Sequence, residues 1–219
     1  TMNKKQVIKN TISFVKEALD GAEGGHDWFH IERVYKNAVL ISGNEKVDRF
    51  IVQLGALLHD IADAKFYDGD ESIGPKKATE FLKKQHIGED IIIHIENIIM
   101  FISYKSSFDT KEKFNSPELD VIQDADRLDA IGAIGIARCF NYGGFKNRSL
   151  YDPEIKPNLE MTKEEYKNST APTINHFYEK LLLLKDQMNT KTGQLLATER
   201  HAYMEGFLQQ FYEEWNGVR

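Results

Sequence analysis

The chain lacks most of the features that would place it outside the ordinary globular proteins. It has one cysteine in 219 residues, which excludes an intramolecular disulfide. That residue, Cys139, sits in the apolar string IGIARCF and reads as a small buried hydrophobe. No stretch approaches the roughly 18 consecutive apolar residues that a membrane helix needs. The amphipathic N-terminal stretch TMNKKQVIKNTISFVKEALDG carries neither the apolar core nor the small-residue cleavage site of a signal peptide, so a cytoplasmic protein without a membrane partner is expected. There is no basic excess: 28 Lys and Arg against 34 Asp and Glu leave a net charge of -6, contrary to a general nucleic-acid-binding surface. A GxxxxGK[ST] loop is also missing, so the chain is not read as a P-loop nucleotide binder.

What is present is helical periodicity. Apolar residues step by three or four along Ile8, Ile12, Val15 and Leu19, along Phe50, Leu54, Leu57, Leu58 and Ile61, and along Ile91, Ile95, Ile98 and Ile102. The same spacing recurs along Ile174, Phe177, Leu181, Leu184 and Met188, and a final helix carries Leu196, Met204, Phe207, Phe211 and Trp215. Period-two alternation is missing, so the fold class is all-α, a compact multi-helix bundle read as one domain over residues 1–219. Gly21 and the Gly24-Gly25 pair end the first helix, Ser116-Pro117 opens another as N-cap and first helical residue, and Pro172 opens the penultimate one. Residues 141–171, with Gly143-Gly144, Pro153 and Pro157, form the one long stretch without a stripe, a functional loop or a flexible insertion. Tyr212 and Trp215 either finish the core, which is the expectation, or form a homodimer surface.

Three strings then carry chemistry. In GALLHDIAD, His59, Asp60 and Asp63 lie within the strongest apolar stripe, where polar groups need partners. Adjacent helical residues point about 100° apart, so His59 and Asp60 meet one ion only over the edge between them. Asp63 stands one turn along on the same side. His30 of GHDWFHIERV opens a helix near its core-facing edge, and VIQDADRLDAIG places Asp126 close to a packed side, with Asp124 and Asp129 as alternates. Two imidazoles and two carboxylates are donors for a divalent metal with positions left for water and phosphate oxygens.

The ordered set His30, His59-Asp60 and Asp126 resembles the HD-domain metal-dependent phosphohydrolase superfamily. With GHDWFHIERV, LLHDIADAKF, DADRLDAIGAIGIAR and STAPTINHFYEKLLLLKD, the likeness extends over nearly the whole chain. More narrowly it is to the bacterial HD-domain proteins that include nucleotide pyrophosphohydrolases. The resemblance implies one divalent ion, Mn2+ or Mg2+ first, with Co2+, Ni2+ or Fe2+ as alternatives, held by His30, His59, Asp60 and Asp126. It implies a proton-transfer role for Asp63, where several relatives have Glu, and pyrophosphate release from a (deoxy)nucleoside triphosphate. The decoy dipeptide His26-Asp27 matches the ligands less well than His30. His26 is therefore read as a substrate-side or supporting residue and Asp27 as a helix cap.

Phosphate charge calls for cations, and Arg33, Lys65, Lys76, Lys105 and Arg148 are the candidates, with Tyr142 and Phe145 offering aromatic faces in the same loop as Arg148. His86 and His94 are read as surface residues, which favours one metal. The rival readings are a nucleotidase, a cyclic-nucleotide phosphodiesterase, an oxygenase with two irons, and a nucleotide sensor without turnover.

Overall fold

The chain's structure, a computed structural model, describes residues 3–22, 26–62, 68–102 and 114–219. The described residues are helical or irregular and include no strand, and none of their helices is long and apolar enough to cross a membrane. They form two compact units, Thr1–Asp126 and Arg127–Arg219.

The first unit is built around a helix with almost no polar face. It holds α1 (Lys4–Ala18), α2 (Trp28–Ser42), α3 (Arg49–Leu58), α4 (Ile73–Lys84), α5 (Glu89–Ile102) and most of α6 (Pro117–Leu128). Within α3, every residue from Phe50 to Leu58 except Gln53 is buried, which marks a helix surrounded by others. It packs against α1, α2 and α5, while α4 covers α5. Each such Leu or Ile contributes about 1.5–3 kcal/mol by leaving water, so α3 is the fixed post of this unit. Asp48 caps it, its Oδ1 accepting from the backbone N–H groups of Phe50 and Ile51, and Glu118 Oε1 accepts from Asp48 N–H at 2.8 Å. Ser116 caps α6 as its sequence signature implied, accepting from Leu119 N–H at 3.1 Å.

Two sequence expectations change here. The HD pair does not ride on a helix, because α3 ends at Leu58, His59 is its C-cap and Asp60 lies in the following turn. The 100° argument for adjacent helical side chains therefore does not apply to them. His94, read as a surface residue, is half-buried, with Nε2 2.9 Å from Ser116 Oγ and 3.7 Å from Glu118 Oε2, whereas His86 is exposed at a turn with φ of 57°.

The second unit contains α7 (Gly132–Phe145), α8 (Lys163–Asn168), α9 (Asn175–Glu179), a 3-10 helix (Leu181–Gln187) and α10 (Lys191–Trp215), with α10 against α7 and the 3-10 segment. The stripe from Ile174 to Met188 is not one helix. The backbone breaks at Lys180, with φ -144° and ψ -57°, and resumes as 3-10. Ile174, Phe177, Leu181, Leu184 and Met188 are nonetheless all buried, since steps of three suit a 3-10 turn as well.

The long irregular stretch is shorter than its composition suggests. Residues 141–145 finish α7, and α8 is a short helix closed by a Thr162–Glu165 capping box. Thr173 and Ile174 N–H donate to the carbonyls of Ser149 and Leu150, and Asn175 Nδ2 donates to Ile155 O, tying the rest of the segment to its own unit. Gly143 is helical and buried because a Cβ there would collide with Thr173 Oγ1. Cys139 is half-buried, and burial pushes its thiol up to about 12. Tyr151, Phe211, Tyr212 and Trp215 form an edge-to-face ring cluster in which Trp215 stays 48% exposed, so these aromatics complete the core only in part.

Burial, reinforced by the charges of Lys180 and Arg148, pulls the His176 imidazole down to about 4 from 6.5. The unfolded chain binds this proton first, so stability present above pH 6.5 falls as the pH drops toward 4, by up to roughly 3 kcal/mol. His176→Gln, which can still accept from Tyr166, should flatten that part of the stability profile measured by urea unfolding between pH 7 and 4.5. Gly143→Ala should lower the melting temperature, overpacking against Thr173 costing about 1–3 kcal/mol; an unchanged or higher value would refute the close-contact account.

Candidate metal centre

The first unit brings donors from three places to one point. His30 lies in the first turn of α2, fixed by Asp27, whose Oδ1 accepts from His30 N–H at 3.0 Å. Asp27 thus caps the helix, as its position implied. His59 closes α3, and its Nδ1 lies 2.8 Å from the Ala56 carbonyl oxygen. A carbonyl only accepts, so Nδ1 carries a proton and is committed to Ala56, which leaves Nε2 as the nitrogen facing the cluster. Asp126 comes from the last turn of α6, which is tied to α2 where Asn37 Nδ2 donates to Ala125 O at 3.3 Å.

The distances converge. One donor atom each from His30, His59 and Asp60 lie within 4.8 Å of one another. Asp126 Oδ1 is 3.4 Å from His30 Nε2 and 3.9 Å from His59 Nε2. The imidazoles are sunk, at 3% and 7% exposure, whereas the Asp60 and Asp126 side chains are 24% and 42% exposed. The cluster therefore has a dry histidine floor and a carboxylate rim open to solvent, the side from which an anion would arrive. Two imidazoles, one with its far nitrogen already hydrogen-bonded, beside two carboxylates are a donor set that fits a divalent cation.

The alternate aspartates stand elsewhere. Asp124 is fully buried, and Asp129 is buried with its Oδ2 3.0 Å from an Arg138 guanidinium nitrogen. Arg138 also donates to the Asp129 carbonyl, and Arg200 donates to the Leu128 carbonyl, closing the end of α6 just before Gly132 enters α7 with φ of 73°. Asp129 thus has a structural employment.

Other expected site residues are more scattered. His26 Nδ1 lies 2.7 Å from Asp60 Oδ2, and its ring centroid is 6.2 Å from that of His30. Arg33 is half-buried one turn after His30 on α2. Lys76 is exposed at the start of α4, where its charge is felt at Asp70; Asp70 itself is held below the ordinary carboxylate range chiefly by hydrogen bonds from Ser72. Arg148, in the second unit, donates to Ser169 O at 2.7 Å and stacks its guanidinium over Tyr142. Asp63, Lys65 and Lys105 lie outside the described residues. The Ala56 carbonyl that sets the His59 tautomer and the Asn37 bridge carry no sequence signal, since any residue has a carbonyl and asparagines are common on helices.

Comparison with known proteins follows the same lines. Residues 28–131, the span containing His30, His59, Asp60 and Asp126, match the HD domain family. The chain is 36% identical over 206 residues to the Bacillus subtilis protein YpgQ, covering 94% of this chain and 92% of that one. The chain belongs to the HD domain family. A crystal structure of an HD-superfamily hydrolase from Bacillus thuringiensis is similar with a TM-score of 0.80 and 44% identity, covering 98% of this chain and 99% of that chain. YpgQ has been crystallised in complex with ADP, and that structure matches with a TM-score of 0.74 and 34% identity over 96% of both chains. The protein is thus a metal-dependent phosphohydrolase of the HD superfamily; HD domains bind divalent metals, and a His/Asp group that could hold one is present here.

Asp126 and Asp129 should separate cleanly in experiment. Asp126→Asn should weaken Mn2+ binding by at least about tenfold in a titration while leaving the melting temperature of metal-free protein near its original value. Asp129→Asn should do the reverse, leaving Mn2+ binding near its original value and costing roughly 1–3 kcal/mol by removing the buried charge that meets the Arg138 guanidinium.

Proposed function

We propose that this protein hydrolyses a phosphoanhydride bond of a nucleotide, releasing pyrophosphate from a (deoxy)nucleoside triphosphate, with one divalent ion held by His30, His59, Asp60 and Asp126. The observation that carries this reading is the convergence of those four side chains at the solvent-open end of a buried histidine floor. The nucleotide part is supported by the ADP bound in the YpgQ crystal structure. A bound Mn2+ or Mg2+ would supply Lewis acidity toward a phosphate oxygen and would lower the pKa of a water ligand.

The chain's own residues do the rest. His59, locked by the Ala56 carbonyl, presents Nε2 in one direction without reorganisation. Asp60 and Asp126 contribute two negative charges, which offset a divalent cation and leave the charge of the substrate to be met by other groups. Arg33, one turn from His30 and always charged, is the described side chain best placed along the chain to meet it. Asp63 is assigned proton transfer at the attacking water, in line with the family pattern, its place three residues after Asp60 matching the family's acidic position.

A panel of nucleoside mono-, di- and triphosphates and cyclic nucleotides, assayed with metal-stripped protein and then with Mn2+, Mg2+, Co2+ or Ni2+, tests the reading. Nucleoside triphosphates should give monophosphate and pyrophosphate in equal amounts, only when metal is added back. Asp60→Ala should reduce the rate on the order of 100-fold or more. Orthophosphate from monophosphates would indicate a nucleotidase, and opening of a cyclic nucleotide a phosphodiesterase. Turnover by Asp60→Ala at the original rate would remove the proposed centre.

A further inference from the structure

We infer that His26 is a positioning residue that aims the Asp60 carboxylate at the metal, an assignment that rests on the reading of Asp60 as a ligand. Asp60 has little else to hold it. It follows the C-cap of α3, outside the helix, and its side chain is half-buried at 24% exposure, with His26 as its hydrogen-bond partner. His26 Nδ1 meets Asp60 Oδ2 at 2.7 Å, the length of a charge-assisted hydrogen bond. A carboxylate is acceptor-only, so the shared proton sits on Nδ1, and Asp60 retains Oδ1 for the ion.

His26 directly precedes the Asp27 cap of α2. Asp27 fixes the first turn of α2 by accepting from His30 N–H, and the His26 ring stands edge-on to the His30 ring at 67°. The two imidazoles flank one cap: His30 faces the cluster from inside α2, and His26, just before the helix, reaches the oxygen of Asp60. The usual support for a metal-bound histidine is a carboxylate or carbonyl on its far nitrogen, as Ala56 provides for His59. At Asp60 the roles are exchanged, and an imidazole supports a carboxylate.

The test uses the full-length, metal-free protein titrated with Co2+, followed by the visible absorption of the bound ion and calibrated against a competing chelator. His26→Phe, which keeps a ring but removes the donor, and His26→Ala should each weaken binding by about 10–100-fold, while His26→Asn, whose amide nitrogen can stand near the place of Nδ1, should recover to within about threefold of the original affinity. The melting temperatures of the metal-free variants should stay together, which a purely structural role would not allow. Asp60→Ala runs alongside as the control for the centre itself. If Asp60→Ala loses Co2+ while both His26→Phe and His26→Ala bind as tightly as the unaltered protein, the role of His26 is overturned and the centre stands. If Asp60→Ala binds normally, the metal reading fails instead. A His26→Asn variant as weak as His26→Phe would also overturn the inference, because the Nδ1 donor would then not be what matters.

Discussion

The end of one buried helix governs the arrangement of this molecule's first unit. After its exposed first residue Arg49, helix α3 turns only Gln53 toward solvent, so it cannot rotate or slide without exposing Leu54, Leu57 or Leu58 to water. His59 is the residue at which that constraint becomes chemistry. Its position is dictated by packing and its tautomer by the Ala56 carbonyl three residues earlier, so the direction of its free nitrogen is settled before any ion arrives. The other donors are brought to it: α2 is packed on α3, and α6 is linked to α2 through Asn37 and Ala125. A site assembled on such elements is stiffer than one assembled on loops, and metal affinity depends on that stiffness because the ligands need not be ordered at the moment of binding.

Much of this was legible in the sequence, and the reason is that the relevant signals are local. Helix α6 announces itself through Ser116 and Pro117, and α3 through an apolar run interrupted only at Gln53. The donor residues are rare types in costly places, which made His30, His59, Asp60 and Asp126 readable as a set. What was not legible depends on angles of the backbone. Leu57 and Leu58 continue the helical pattern up to the histidine, and nothing in the letters says that the helix stops there. The stripe from Ile174 to Met188 gives the same lesson, since after the break at Lys180 the step of three from Leu181 to Leu184 is satisfied by a 3-10 turn as readily as by an α-helix. Among the three aspartates of the DADRLD string, only the packing of Asp124 and the ion pair of Asp129 separate structural from ligand positions.

The two HD dipeptides illustrate how similar strings receive different work. His59-Asp60 lies after a helix and contributes both residues to the cluster, while His26-Asp27 lies before one. There, Asp27 is consumed by the unpaired N–H groups of the helix start, and its neighbour is left outside the helix, able to reach sideways. Position relative to a helix end, rather than the dipeptide itself, decides which residue is spent on the backbone and which remains for the site.

Charge sets the last condition on the chemistry. A net charge of -6 would repel a polyphosphate at long range, and the two carboxylates of the proposed donor set would offset the charge of a divalent ion held there. On the proposed reading the loaded centre would be close to neutral, so attraction of an anionic substrate would have to come from short-range cations acting where solvent is thin. A guanidinium near His30 suits this better than a mobile surface amine, because it stays charged and offers planar, paired donors to phosphate oxygens. Arg33 is half-buried on the same helix as His30, where its direction is tied to that of a ligand. On the proposed reading, recognition of the anion by Arg33 and placement of the metal by His30 would be coupled through α2, so that a shift of that helix would disturb both together.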